Sequence, residues 1–344
     1  MDKRRTTNIL LLLVVIPVIF YLLKVLSFIF IPLVFSMFIA LLFLPLMRWL
    51  GKRGVPKYVS IIIVLLLFLM GMAFVGELIH LSSKQIIASD SRIFPHAKVK
   101  LQELVQSVEG FFGMSLGSDD GIMPVILGKD GLGKVFGFVV NLVSMTLTTA
   151  VFTVLWLAES INIQKLMQVI FFQRKHTSVK TFLKIENDLI TFIKVKFLVS
   201  LGTGIGIGLA CVFFDVSFPI FWGLFAFVIN FVQLLGSLIA LASLSIFALV
   251  ELDATGTLFF FVLSIILVEI IFGSILEPIF MGRSFSINII TVLVMLMFWG
   301  FIWGIPGMIM SIPITVFIKI ILEQSPNTEV IANLLSGREL IKRK

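Results

Sequence analysis

The sequence predicts an all-α membrane protein that crosses the bilayer several times, and three observations carry that prediction. Of 344 residues, 59% are hydrophobic and 13% charged, which is more apolar surface than a water-soluble core buries. The apolar residues come in long runs: 8 to 47 holds one charge, Lys24, and 218 to 250 holds none, while about 20 apolar residues suffice for a spanning helix. Within the runs Phe, Leu and Ile follow one another without the alternation of a membrane β-barrel. A disulfide framework is excluded as well, because Cys211 is the only cysteine.

The net charge of +8 does not point to nucleic acid. The basic residues flank apolar runs, where topology and anionic lipid headgroups account for them. The first run is longer than a signal-peptide core, and no small-residue cleavage site follows it, so it reads as a retained span.

Residues 1 to 80 read as three spans. The run from 8 to 47 is about twice a bilayer width with Lys24 near its middle, which predicts two helices joined by a tight turn. "RWLGKRGVPK" follows, with Arg48, Lys52, Arg53 and Lys57 and no acid. The positive-inside rule makes it cytoplasmic, together with the "DKRR" terminus. A third span covers about 58 to 80.

Residues 81 to 134 carry six basic and six acidic residues. Leu101, Leu104, Val105, Val108, Phe111 and Phe112 recur there at helical spacing, predicting an extracytoplasmic amphipathic helix. A fourth span, 135 to 158, returns to a segment from 159 to 196 with seven basic and three acidic residues, read as cytoplasmic and helical. A C-terminal core with broken or hairpin helices follows at 197 to 323, and 324 to 344 forms a cytoplasmic tail. About eight hydrophobic segments result.

The fifth span opens with "GTGIGIG". Gly202 and Gly206, and Gly204 and Gly208, stand four apart, a spacing that lets helix backbones approach closely. The run from 218 to 250 would measure about 50 Å as one helix, against a hydrocarbon core of about 30 Å. The run from 287 to 322 poses the same problem and contains Gly304, Pro306 and Gly307. Each run either crosses at a steep tilt or re-enters as a hairpin, and charge favours hairpins. Re-entry puts "ELDATG" outside and Arg283 inside, as the positive-inside rule asks. Cysteine labelling at Asp253 from outside and at Arg283 from inside is the corresponding expectation. Two span-plus-hairpin units of opposite orientation would form an inverted repeat, echoed in "FWG" at 221 to 223 and 298 to 300.

Polar residues inside these runs are the candidate pathway. Glu269 lies mid-span, and Glu277 follows eight residues later beside Pro278. A charged acid in hydrocarbon costs several kcal/mol, so such residues mark ion, proton or polar-solute sites, with a helix-end role as the other reading of Glu277. Asn230 and Gln233 precede a proposed tip at Gly236 and Ser237, and Asn288 begins the last run. Broken helices expose backbone groups that these amides serve either structurally or as a binding site. Ser274 and Gly282 flank Glu277 and Pro278. The histidines His80, His96 and His176 lack metal-ligand spacing, so neither metal nor cofactor is expected. No nucleophile elbow, phosphate loop or HExxH motif is present, and no enzyme is expected.

From "FPIFWGLFAFVINFVQLLGS", "ILEPIFMGRS" and "WGFIWGIPGMIMSIPITVFIKII", the chain resembles the autoinducer-2 exporter family of bacterial transporters. The layout of its first half resembles the family too. Val232 and Gln233 stand where the family usually has Ile-Pro, Ser274 where it often has Asn, and Ile289 where Pro is common. The resemblance implies a secondary transporter of the bacterial cytoplasmic membrane, exporting a small polar signalling molecule or exchanging sodium or lithium for protons. It also implies homo-oligomers. A channel or membrane scaffold is the alternative from another class.

Overall fold

A computed structural model of the chain describes residues 3–89, 145–171, 177–232, 235–252, 256–281 and 288–322. The described residues are helical with no strand, as composition predicts. The part beyond Ser89 of the insert expected at 81 to 134, the tail, Gln233, Asp253, Gly282 and Arg283 lie outside them. Four helical stretches are long and apolar enough to cross a membrane: Ser27–Lys52, Lys57–Ser82, Glu186–Phe213 and Gly256–Met281. The chain is a multi-pass membrane protein. It divides into two compact units, one of Met1–Leu65, Leu147–Val195 and Met281–Lys344, the other of Leu66–Thr146 and Lys196–Phe280.

The first unit opens with α1 (Lys3–Val25) and α2 (Ser27–Lys52). They part at Leu26 alone, and helical bonds from Leu26 N to Leu22 O and from Phe30 N to Leu26 O bridge the break. One residue thus divides the long apolar run, where a tight turn was the expectation. Lys24 lies over the Phe301 ring at 4.1 Å, so the one charge of that run is held by an aromatic face. α3 is Lys57–Ser89 and α4 is Thr146–Phe171.

α10 (Ile289–Trp303) and α11 (Ile305–Leu322) are the halves of the last apolar run. At 15 and 18 residues they measure about 22 and 27 Å. The chain breaks at Gly304, whose φ of 64° suits glycine. A side chain at Gly307 would drive into the Trp299 carbonyl, so this glycine lets the halves close on each other. Trp303 Nε1 donates to Leu23 O at 2.9 Å, tying α1 to the tip. Trp299 and Trp303 are buried within the bundle, while Trp49 is half-exposed beneath Arg53.

The second unit includes α5 from Lys196 onward. This helix runs from Thr177 to Phe213, so the segment from 159 to 196 is not separate from the span after it. Its 37 residues extend about 55 Å, more than a hydrocarbon core of about 30 Å accommodates. α6 (Pro219–Ile229) and α7 (Leu235–Glu251) follow. They have 11 and 17 residues, about 16 and 25 Å, and neither alone reaches across a bilayer. Joined by five residues and packed together, they form an antiparallel hairpin. Its base is pinned where Ser217 N donates to Glu251 Oε2 at 3.0 Å and Ser217 Oγ donates to the other carboxylate oxygen. Gly236 at the tip meets the Ile229 carbonyl with no room for a side chain. α8 (Gly256–Glu269), a π-helical segment (Ile270–Leu276) and α9 (Glu277–Met281) complete the unit. Ile207, Cys211, Trp222, Leu244, Phe261 and Ile265 share one core among these helices.

Candidate functional site

The glycines of "GTGIGIG" set the geometry. A side chain at Gly202 would overlap the Phe272 ring, and one at Gly206 would stand 2.8 Å from Val268 Cγ1. On another face, one at Gly204 would stand 2.7 Å from the Gly223 carbonyl, and one at Gly208 would stand 3.4 Å from the Pro219 carbonyl. α5 is therefore wedged between α8 with its π segment on one seam and α6 on the other.

Residues Lys196, Ser200, Thr203 and Ile207 follow at helical spacing on the α5 face between those seams. All four are buried, Lys196 to 4% exposure. Lys196 is ten residues inside the apolar stretch Glu186–Phe213, about 15 Å along the helix. Asn230, at the hairpin tip and 5% exposed, donates from Nδ2 to Ser200 Oγ at 3.3 Å. Phe227 stands edge-on to both Phe197 and Phe231, giving this level an aromatic wall.

The carboxylates arrive from the π segment, and Pro278 explains it. Proline lacks the N–H that would bond four residues back, and its ring would strike the Ser274 carbonyl in an α-helix. The widened turn avoids that clash, with Glu277 N donating to Phe272 O five residues earlier. Eight α-helical residues would set Glu277 about 80° around from Glu269, and the slower π winding reduces that offset. Glu277 is 5% exposed, with Lys196 Nζ at 3.2 Å from Oε1 and 3.1 Å from Oε2. It is not a water-facing helix end.

Glu269 is placed differently. Its Oε2 lies 3.6 Å from where a Gly273 Cβ would stand, and Oε1 is sealed from solvent without a hydrogen-bond partner among the described residues. Lys196 and Glu277 are the charges that act on it. The fold thus brings together Glu269, Glu277 and Asn230, which the sequence singles out. It adds Lys196, Ser200 and Thr203, which reading a span boundary at 196 concealed. Their i, i+4, i+7 spacing was the available signal.

The other candidates fall elsewhere. Ser237 is half-buried in the first turn of α7, while Ser274 and Pro278 are exposed. Asn288 accepts from Ile290 N at 3.1 Å and caps α10. Gly304, Pro306 and Gly307 belong to the tip of the first unit.

Broken helices around a buried charged cluster in a multi-pass bundle are the makings of a membrane transport protein. The chain belongs to the AI-2E family of transporters, whose family model matches residues 10–327. It is 26% identical over 328 residues to a candidate transport protein of Haemophilus influenzae, covering 91% of each chain. It is also 26% identical over 321 residues to the AI-2 transport protein TqsA of Escherichia coli strain K12, covering 89% of each. Identity to the candidate transport protein YrrI of Bacillus subtilis is 24% over 327 residues, covering 87% of each.

Proposed function

We propose that this chain is a secondary transporter exporting a small polar solute across the bacterial cytoplasmic membrane, with a proton or sodium ion as coupling partner. The observation that carries the reading is the convergence of the hairpin tip and the π segment on the polar face of α5. Asn230, Ser200 and Thr203 offer neutral donors and acceptors to a solute. Lys196, Glu269 and Glu277 offer the charge through which a gradient can act. The aromatic rings beside them fit the apolar face of a small ligand. The relative TqsA is described as transporting AI-2, which supports a small polar signalling molecule as the class of cargo.

Topology supports the same reading. Arg48 donates to Glu186 at 2.6 Å, and Lys57 Nζ donates to Ala158 O at 2.6 Å. The basic loop and the end of the α4 span therefore share one side of the membrane, which the positive-inside rule makes cytoplasmic. Both termini are then cytoplasmic, with each C-terminal hairpin re-entrant. The family resemblance adds a homo-oligomer.

The buried oxygen of Glu269 favours one other reading, sodium or lithium exchange for protons without an organic solute. Proteoliposomes separate these. Saturable solute counterflow driven by a proton or sodium gradient supports export, and gradient-driven sodium and proton exchange without solute supports the antiporter. Unsaturable conductance, or no flux at all, sinks both in favour of a channel or scaffold.

A further inference from the structure

One buried carboxylate, Glu277, and one half-buried carboxylate, Glu269, share one buried cation. Lys196 straddles Glu277 at 3.1 and 3.2 Å, whereas Glu269 Oε1 is enclosed without a hydrogen-bond partner among the described residues. Among the described residues, the elements packed around Glu269 bring no second cation to it. Lys196 is the ammonium on the facing side of α5, and Lys194 points about 160° away by helical geometry. α6 has no charged residue, and α7 carries only Glu251, at the far end beside Ser217. Among the described residues the Glu269 charge is left without a hydrogen-bond donor on Oε1, and a solitary charge in a bilayer interior is not kept bare.

Thr203 supplies an independent observation. It is fully buried, and its Oγ1 has no hydrogen-bond partner among the described residues. Gly202 meets Phe272 while Gly206 meets Val268, so α5 and the α8 segment run antiparallel. Thr203 follows Gly202 and Glu269 follows Val268, each one residue past the shared seam and about 3 Å apart along it. On antiparallel helices a step in the same rotational sense lands on the same flank. The two unpartnered oxygens therefore lie on one flank of the seam, the flank that Lys196 and Asn230 occupy.

We infer that Glu269 binds one proton or one monovalent cation per chain, with the Thr203 hydroxyl as a neutral ligand, and that Lys196 on Glu277 fixes this number at one. Lys196 and Glu277 are positioning residues, because they act through the charge left on Glu269. The inference rests on the transport reading for its meaning, but its test is read on the protein itself.

The test is infrared spectroscopy of the purified full chain in choline buffer, following the C=O stretch of buried carboxylic acid. Wild type shows the band of one acid, and Glu269→Gln removes it. Glu277→Gln also removes it, because Lys196 is freed to pair with Glu269. The double variant Lys196→Gln/Glu277→Gln restores it, leaving Glu269 alone again, and this recovery guards against reading a folding defect as loss. Adding sodium abolishes the band if the site takes a monovalent cation, and Thr203→Val then raises the sodium needed at least tenfold. A band unmoved by sodium and by Thr203→Val assigns a proton instead. No band in wild type, or a wild-type band in Glu277→Gln, overturns the inference. A chain that gives the expected pattern yet carries no solute or ion in proteoliposomes keeps the site and loses the transport reading.

Discussion

Lys196 and Glu277 show how one residue can stand for two. Their ion pair has side-chain exposures of 6% and 7%, so removing Lys196 takes the ammonium from a buried carboxylate in an apolar setting. Lys196→Met is expected to cost about 3–5 kcal/mol, while Lys196→Met/Glu277→Met recovers most of that loss. Thermal unfolding of the detergent-purified variants reads the difference, and additive losses would deny the coupling. Glu269→Gln keeps shape and sheds charge, so it is expected to insert and assemble normally while transport loses its pH dependence. An unchanged pH profile in vesicles would make the carboxylate structural. The rank order reverses a simpler expectation. Beside Pro278, Glu277 looks in the sequence like the tolerant acid, because its partner lies 81 residues away. Spacing along one helix was legible, but a cross-helix contact between single residues leaves no local trace.

At the scale of elements, two positions on the α6 seam of α5 can be told apart by substitution. Gly204→Ala sets a methyl group 2.7 Å from the Gly223 carbonyl, a backbone atom that cannot rotate away, whereas Gly208→Ala meets nothing nearer than 3.4 Å. The first should cost about 1–3 kcal/mol by overpacking, and the second should be nearly neutral. Equal melting temperatures would mean the helices separate more easily than the close approach implies. The π segment has its own test. Pro278→Ala restores a backbone donor and lifts the clash that favours the wide turn. Hydrogen exchange should slow across residues 270–276, and transport should fall without loss of assembly. Small-residue spacing gave the seam in advance, because it is periodic. The π turn was hidden, since helical periodicity assumes 3.6 residues per turn throughout.

For the whole molecule the open matter is sidedness. Re-entrant hairpins put the start of α8 outside, so Gly256→Cys, exposed at that helix end, should react with an impermeant thiol reagent from the extracytoplasmic face. Cys211 is fully buried and gives no background. Labelling from the cytoplasmic face would replace hairpins with full crossings and remove the inverted repeat, leaving the family assignment intact.

What the sequence determined by itself was the solvent and the architecture it compels. Uninterrupted apolar runs exceed any soluble core, and runs longer than a bilayer is thick, punctuated by Gly236 and Gly304, had to tilt steeply or break. These follow from composition, length and backbone chemistry, all of which are local. The tertiary structure alone decided which polar residues meet. Lys196 opposite Glu277, Asn230 on Ser200, and Thr203 on the same flank as Glu269 each depend on how far one helix slides and turns against another. That register is set by glycines packing on remote backbone and side chains, and no stretch of sequence read singly contains it.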